Sequence, residues 1–215
     1  MASIEPKATN SVFQQSPRQP AFSQIRQTVN TEQEGNIELT EGFRQLAVSQ
    51  ERDKMAEETS TQPKPLFVYG TLCAKELLAW ALTGDSSNVD YIVNLIRPAR
   101  VYGFARYRLR GRDYPAATIH KDSYIDGYLV SFQSMSQRRK LDDFEGEIYK
   151  PVSTRTYILD ENKERSGEEI LADIYLWNGP AESLTEESWE LDVFINESLE
   201  TWLDLFQGME LTGGE

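Results

Sequence analysis

A chain of 215 residues suits one domain of about 150 residues with an appendage. Its formal charge of -13 at pH 7 argues against nucleic acid or an anionic membrane as the main partner. One cysteine, Cys73, excludes an internal disulfide, and one histidine, His120, leaves little for a zinc-type site, so a reduced, metal-free, cytoplasmic protein is expected.

Residues 1–64 are rich in Gln, Ser, Thr and Pro, with apolar residues at no fixed period, and read as a disordered polar tail. Within it, residues 37–58 carry Leu39, Phe43, Leu46 and Ala47 at helical spacing, the pattern of a marginal helix or of a segment that docks on a protein partner. The start of the chain has no apolar core behind a basic stretch, and no run approaches eighteen apolar residues; neither a secretory signal nor a membrane span is expected.

The folded domain is expected over residues 65–210. It opens on Leu66-Phe67-Val68-Tyr69, an apolar run that fits a strand buried on both faces. Gly70-Thr71-Leu72 then leads into a helical pattern from Ala74 to Leu82, stopped by Gly84. A strand, a glycine turn and a helix start in succession leave several backbone N–H groups unpaired at one point, which suits either an anion or an ordinary turn.

From Arg100 to Arg110 the residues alternate as in a strand with one wet face, carrying Arg106, Arg108 and Arg110. A turn at residues 111–113, a strand over 114–119 and a further strand over 126–132 follow. His120-Lys121-Asp122 reads as a strand end. Ser136 is the expected cap of a helix through Leu141 that ends at Gly146, which sets Glu145 at its carboxyl end. There the negative end of the helix dipole, with Asp142, Asp143 and Glu147 nearby in sequence, raises the Glu145 pKa, more so if it faces a cavity. A carboxyl tuned in that way can take up and return a proton near neutral pH, and Glu145 is the candidate catalytic residue.

Residues 149–159 and 170–177 are β-branched and aromatic, flank a charged turn, and should pair as a hairpin. Ser183 with Glu186 resembles a capping box before one long amphipathic helix bearing Trp189, Phe194, Trp202 and Phe206, whose rings are expected to pack on the sheet rather than line a ligand site.

Five stretches occur in a shared order and spacing: Phe67-Val68-Tyr69-Gly70-Thr71-Leu72, Tyr114-Pro115-Ala116, Gly127-Tyr128-Leu129, residues 141–146 with Tyr149, and residues 172–177. Over roughly residues 66–207 the chain thereby resembles the γ-glutamylcyclotransferase-like superfamily, in particular its avirulence-induced-gene-like branch of plants and fungi. The resemblance implies an α+β fold, a mixed β-barrel with flanking helices and a cavity at its mouth. It also implies a cofactor-free, intramolecular cyclisation of a small-molecule γ-glutamyl substrate to 5-oxoproline and a free amine or amino acid. Carried over by motif, Tyr69, Gly70, Thr71 and Leu72 hold the substrate's α-carboxylate through backbone N–H groups, Glu145 is the catalytic glutamate, and Tyr149 and Tyr175 line the cavity. Thr71 stands where many members have Ser, and the spacing from Glu145 to Tyr149 is compact where some amine-specific members insert residues, which leaves the substrate class open. Two rivals stand beside this reading: a Cys73 nucleophile served by His120, and a catalytically silent member that binds a ligand or acts as an interaction module.

Overall fold

The computed structural model describes residues 62–213. Of the tail expected over residues 1–64, residues 1–61, with the marginal helix over 37–58, lie outside the described residues; Pro63 and Lys64 belong instead to the packed domain, Pro63 buried and Lys64 paired with Asp173.

Strand β1 (Leu66–Val68) is fully buried, and the alternation of its side chains decides what each face meets. Leu66 and Val68 face a helical layer, while Phe67 and the following Tyr69 point into a second cluster with Val101, Leu129, Ile158 and Ile174. A 3-10 turn (Thr71–Cys73) leads into α1 (Lys75–Thr83), which ends on a left-handed Gly84 (φ 77°) whose N–H reaches the Trp80 carbonyl at 2.7 Å. Helix α2 (Val89–Val93) precedes the long antiparallel pair β2 (Ile96–Arg108) and β3 (Pro115–Val130). Helix α3 (Met135–Glu145) is followed by the hairpin β4 (Tyr149–Leu159) and β5 (Arg165–Trp177). The five strands close into a barrel in the order β1-β3-β2-β4-β5, sealed by the parallel pairing of β1 with β5. The expected 149–177 hairpin is present, with Tyr149 opposite Trp177.

Three expectations need correction. The strands expected over 114–119 and 126–132 are one continuous β3, because β2 breaks its alternation at Gly103 (φ 86°). Between the pairs Tyr102–Tyr124 and Phe104–Ile119, residues 120–123 of β3 bulge opposite that single glycine. The polar stretch that looks like a strand end is this bulge, closed by a 2.8 Å contact between His120 Nδ1 and Ser123 Oγ. Helix α3 starts two residues before the expected Ser136: Ser134 is its cap, accepting from the Gln137 N–H, while the Gln137 side chain accepts from the Gln133 N–H.

The third concerns the end of the domain. Two seven-residue helices, α4 (Leu191–Glu197) and α5 (Leu199–Leu205), stand where one long helix is expected, and Ser183 lies in a 3-10 turn rather than a capping box. The backbone of residues 183–187 is bonded to the β2 edge: Arg110 N–H donates to the Ser183 carbonyl, Thr185 N–H to Arg108, and Arg108 N–H to Glu187. Groups engaged there are lost to a helix, so helical structure begins only after Glu190.

Candidate active site

Four elements bring their ends together at the mouth of the barrel. Strand β1 runs out into Gly70, which packs against the Pro115 ring; a Cβ added there would lie 3.0 Å from the ring carbons. The turn that follows leaves the Thr71 and Leu72 N–H groups without intrahelical partners, and among the described residues none of the hydrogen bonds outside helices and strands uses them as donors. Helix α3 ends at Gly146, whose φ of 65° turns the chain sharply and whose N–H closes on the Asp142 carbonyl at 3.0 Å. Glu145, the last helical residue, thereby faces inward. Tyr149 at the start of β4 and Tyr175 near the end of β5 complete the wall.

These residues line one cavity of about 440 Å³, within the range of about 300–1,000 Å³ that holds small ligands. All seven residues named from the sequence line it: Tyr69, Gly70, Thr71, Leu72, Glu145, Tyr149 and Tyr175. The expected geometry, an acid at one bend and amide hydrogens at another facing one hollow, is therefore present.

Burial raises the Glu145 pKa from 4.5 to about 8, and the negative charge of Asp142, one turn earlier, adds to the effect. No ion pair with a described residue offsets that rise. Asp143 and Glu147 are exposed, so of the three acidic neighbours named from the sequence only Asp142 contributes. The folded protein holds the Glu145 proton more tightly than the unfolded chain does. This group's contribution to stability is therefore full below the ordinary carboxyl range and declines as pH rises from 4.5 to about 8. Each tenfold change in proton affinity is worth about 1.4 kcal/mol, and allowing for the partly open side chain leaves on the order of 2–3 kcal/mol. The melting temperature of Glu145→Gln relative to wild type is expected to climb by several degrees between pH 5 and pH 9; a flat difference would mean the carboxyl is not buried.

The tyrosine hydroxyls are structural. Tyr69 donates to the Tyr175 carbonyl at 2.7 Å and accepts from the Ala117 N–H at 3.1 Å, and burial followed by the charge of Glu145 raises its pKa. Tyr149 donates to the Pro115 carbonyl at 2.8 Å. Tyr175 donates to the Asp142 carboxylate, which also accepts from Arg138 Nε at 3.0 Å. Buried Arg138 reaches on to Asp173 at 2.9 Å, and Asp173 meets Lys64 at 3.1 Å. This chain of charges fixes the last turns of α3, and with them Glu145, against β5. What the tyrosines offer the cavity is their rings.

Several neighbours of the cavity are not visible in the sequence. Arg106 does not belong to a fully solvated stripe: its half-buried guanidinium donates to the Tyr69 carbonyl at 2.8 Å and lies over the Trp189 ring at 5.2 Å. Gly103, where the alternation slips, is the one local sign of this. Trp202 and Phe206, expected only to pack on the sheet, line the cavity with Trp80 and Phe144. The Cys73–His120 alternative fails on chemistry. Burial pushes the Cys73 thiol up to about 12, it donates to the Val68 carbonyl at 3.4 Å, and His120 sits on the β3 bulge with Ser123. Among the described residues no group of three His, Cys, Asp or Glu side chains is arranged to hold a metal, and no helix is long and apolar enough to cross a membrane.

A family model described as "Gamma-glutamyl cyclotransferase, AIG2-like" matches residues 66–191, more than half of the chain. The chain belongs to this family. Among γ-glutamyl cyclotransferase, AIG2-like relatives, "Protein AIG2 C" of Arabidopsis thaliana is 22% identical over 153 residues, covering 70% of this chain and 85% of its own. A solution structure from Arabidopsis thaliana is similar at 22% identity with a TM-score of 0.46, covering 70% of this chain and 85% of that one. A solved structure named "Gamma-glutamyl cyclotransferase" is 14% identical with a TM-score of 0.40, covering 54% and 67%. The fold is the α+β, γ-glutamylcyclotransferase-like mixed barrel with flanking helices. The family match ends at residue 191, so α5 and the segment after it, which close one side of the cavity, lie beyond it.

Proposed function

We propose that this protein is a γ-glutamylcyclotransferase that releases 5-oxoproline from a small γ-glutamyl compound, with Glu145 as the proton carrier. The observation that carries the reading is the one cavity shared by a raised carboxyl and the Thr71 and Leu72 amides of the Gly70 turn, which donate to no described residue. The Thr71 and Leu72 amides receive the substrate's α-carboxylate, an anion that suits unpaired N–H groups at a turn. Tyr69 shapes that turn from below, and the Tyr149 and Tyr175 rings confine the γ-glutamyl chain in a bent form. Holding the α-nitrogen over its own γ-carbonyl makes the attack intramolecular, where well-oriented groups reach effective molarities of about 10⁵ M or more.

The proton balance needs one acid. Before substrate binds, Glu145 is largely protonated at neutral pH; the substrate's ammonium, an opposite charge beside it, favours the carboxylate, and the Glu145 proton passes to solvent as substrate binds. Glu145 then takes a proton from the α-ammonium, and the freed amine attacks the γ-carbonyl to form the ring C–N bond. Glu145 returns that proton to the departing nitrogen as the old C–N bond breaks, and a second proton follows the same route from ring nitrogen to released amine. No water is consumed, no cofactor enters, and Glu145 is left as the carboxylate, which takes a proton back from solvent once the products have gone. A reduced cytoplasmic setting accompanies this reading, since the lone cysteine is a buried packing residue.

The test is to incubate the full chain with γ-glutamyl dipeptides, γ-glutamyl amines and glutathione and to quantify 5-oxoproline. Product from at least one class is expected. Binding of these compounds without product would make the protein a silent ligand-binding member of its family instead.

A further inference from the structure

One side of the cavity has a composition that the cyclisation itself does not require. Trp80 of α1 stacks on Phe206 with centroids 4.4 Å apart and planes 11° from parallel. Phe144 at the end of α3 meets Trp80 at 6.3 Å and Trp202 at 6.5 Å, so four rings form one continuous wall. Among the described residues, the charged ones lining the cavity besides Glu145 are Asp143 and Glu210, both exposed, and neither Lys nor Arg lines it. The Trp80 Nε1–H donates to the Met209 carbonyl at 3.2 Å, which ties the segment carrying Glu210 to the aromatic wall. Trp202, Phe206 and Glu210 all follow residue 191, where the family match ends.

We infer that this wall is the leaving-group subsite and that it takes an aromatic amine that carries no carboxylate. The inference rests on the cyclotransferase reading, since a leaving group exists only if the γ-amide is cleaved. Trp80 and Phe206 cover one face of each other, and the ring surface these four residues still turn to the cavity offers an aryl group edge and face contacts, while a cation near a ring face is attracted by its quadrupole. The released amine becomes an ammonium once it has gained its protons, and the two exposed carboxylates that line the same cavity favour that charge. An amino-acid leaving group brings its own carboxylate into a cavity whose described lining holds acids and no cation, where it gives up hydration without gaining a described partner. Discrimination here comes from repulsion as much as from the rings.

The deciding comparison uses three substrates of the full chain: γ-glutamylphenethylamine, γ-glutamylphenylalanine, which adds one carboxylate, and γ-glutamylmethylamine, which lacks the ring. The expected result is a kcat/KM for the phenethylamine compound at least tenfold above each of the others. The double variant Asp143→Asn with Glu210→Gln should narrow the gap to the phenylalanine compound at least threefold, and Trp202→Ala should narrow the gap to the methylamine compound. Wild-type ratios below tenfold, with 5-oxoproline still formed, overturn the subsite and leave the cyclotransferase standing. Absence of 5-oxoproline from all three and from γ-glutamyl dipeptides and glutathione removes both.

Discussion

Glu145→Gln is expected to lower 5-oxoproline release by roughly 10³-fold, within the range of about 10²–10⁴ that a positioned acid–base group supplies, while the barrel stays folded. Gln keeps the shape and lacks the titrating proton. The Glu145 side chain opens to the cavity and forms no ion pair with a described residue, so the substitution leaves the Arg138–Asp142–Tyr175 contacts in place. Binding of the α-carboxylate at the Gly70 turn should persist, so the loss should appear in kcat more than in KM. The check is steady-state kinetics of both proteins beside their circular dichroism. Activity within tenfold of wild type, in a folded variant, would remove Glu145 from the mechanism even though the family assignment stands.

Gly127→Ala is expected to cost about 3 kcal/mol of stability, the upper part of the range for forcing atoms into a packed interior. Gly127 pairs with Ala99 of β2 beside the three-residue contact of β3 with β1. A Cβ at this position would lie 2.2 Å from the Val68 carbonyl oxygen and 3.0 Å from the Phe67 ring. The first clash is with backbone, so no rotamer relieves it. Strand β1 would have to move, and it is held on its other side by the parallel pairing with β5 that closes the barrel. The same shift would carry Gly70 and its turn away from Glu145. Thermal denaturation should show a melting temperature lower by about 6–12 °C, with activity reduced at temperatures where the variant is still folded. A variant melting within a degree or two of wild type would mean that β1 has room the structure does not give it.

The parts of the site readable from the sequence are those specified locally. Leu66 to Tyr69 is an uninterrupted apolar run, Gly70 and Gly146 mark where chain direction changes, and the hairpin strands on either side of residues 160–164 are β-branched; each signal lies within a few residues of what it describes. The features that stay hidden depend on distant partners. Residues 183–187 look like a helix start, yet their carbonyls and N–H groups are taken by Arg108 and Arg110 on the β2 edge, some 75 positions earlier. The start of α3, by contrast, has a local mark two residues ahead of the expected one, since Ser134 and Gln137 stand at capping-box spacing. Trp202 and Phe206 have the spacing of any core-facing helix stripe. Only the meeting with Trp80 and Phe144 makes them a cavity wall, and periodicity carries no trace of that meeting. Likewise the raised Glu145 pKa has its direction in the sequence, through Asp142, but its main cause is burial, which is a property of the assembled barrel.

Cyclisation and hydrolysis differ in whether water enters the product, and running the reaction in water enriched in oxygen-18 separates them directly. With Glu145 moving protons and the substrate's own α-nitrogen as nucleophile, mass spectrometry should find unlabelled 5-oxoproline, in an amount equal to the amine released. Labelled glutamate as the principal product would contradict the account, because it would mean that water, and not the α-nitrogen, attacks the γ-carbonyl in this cavity.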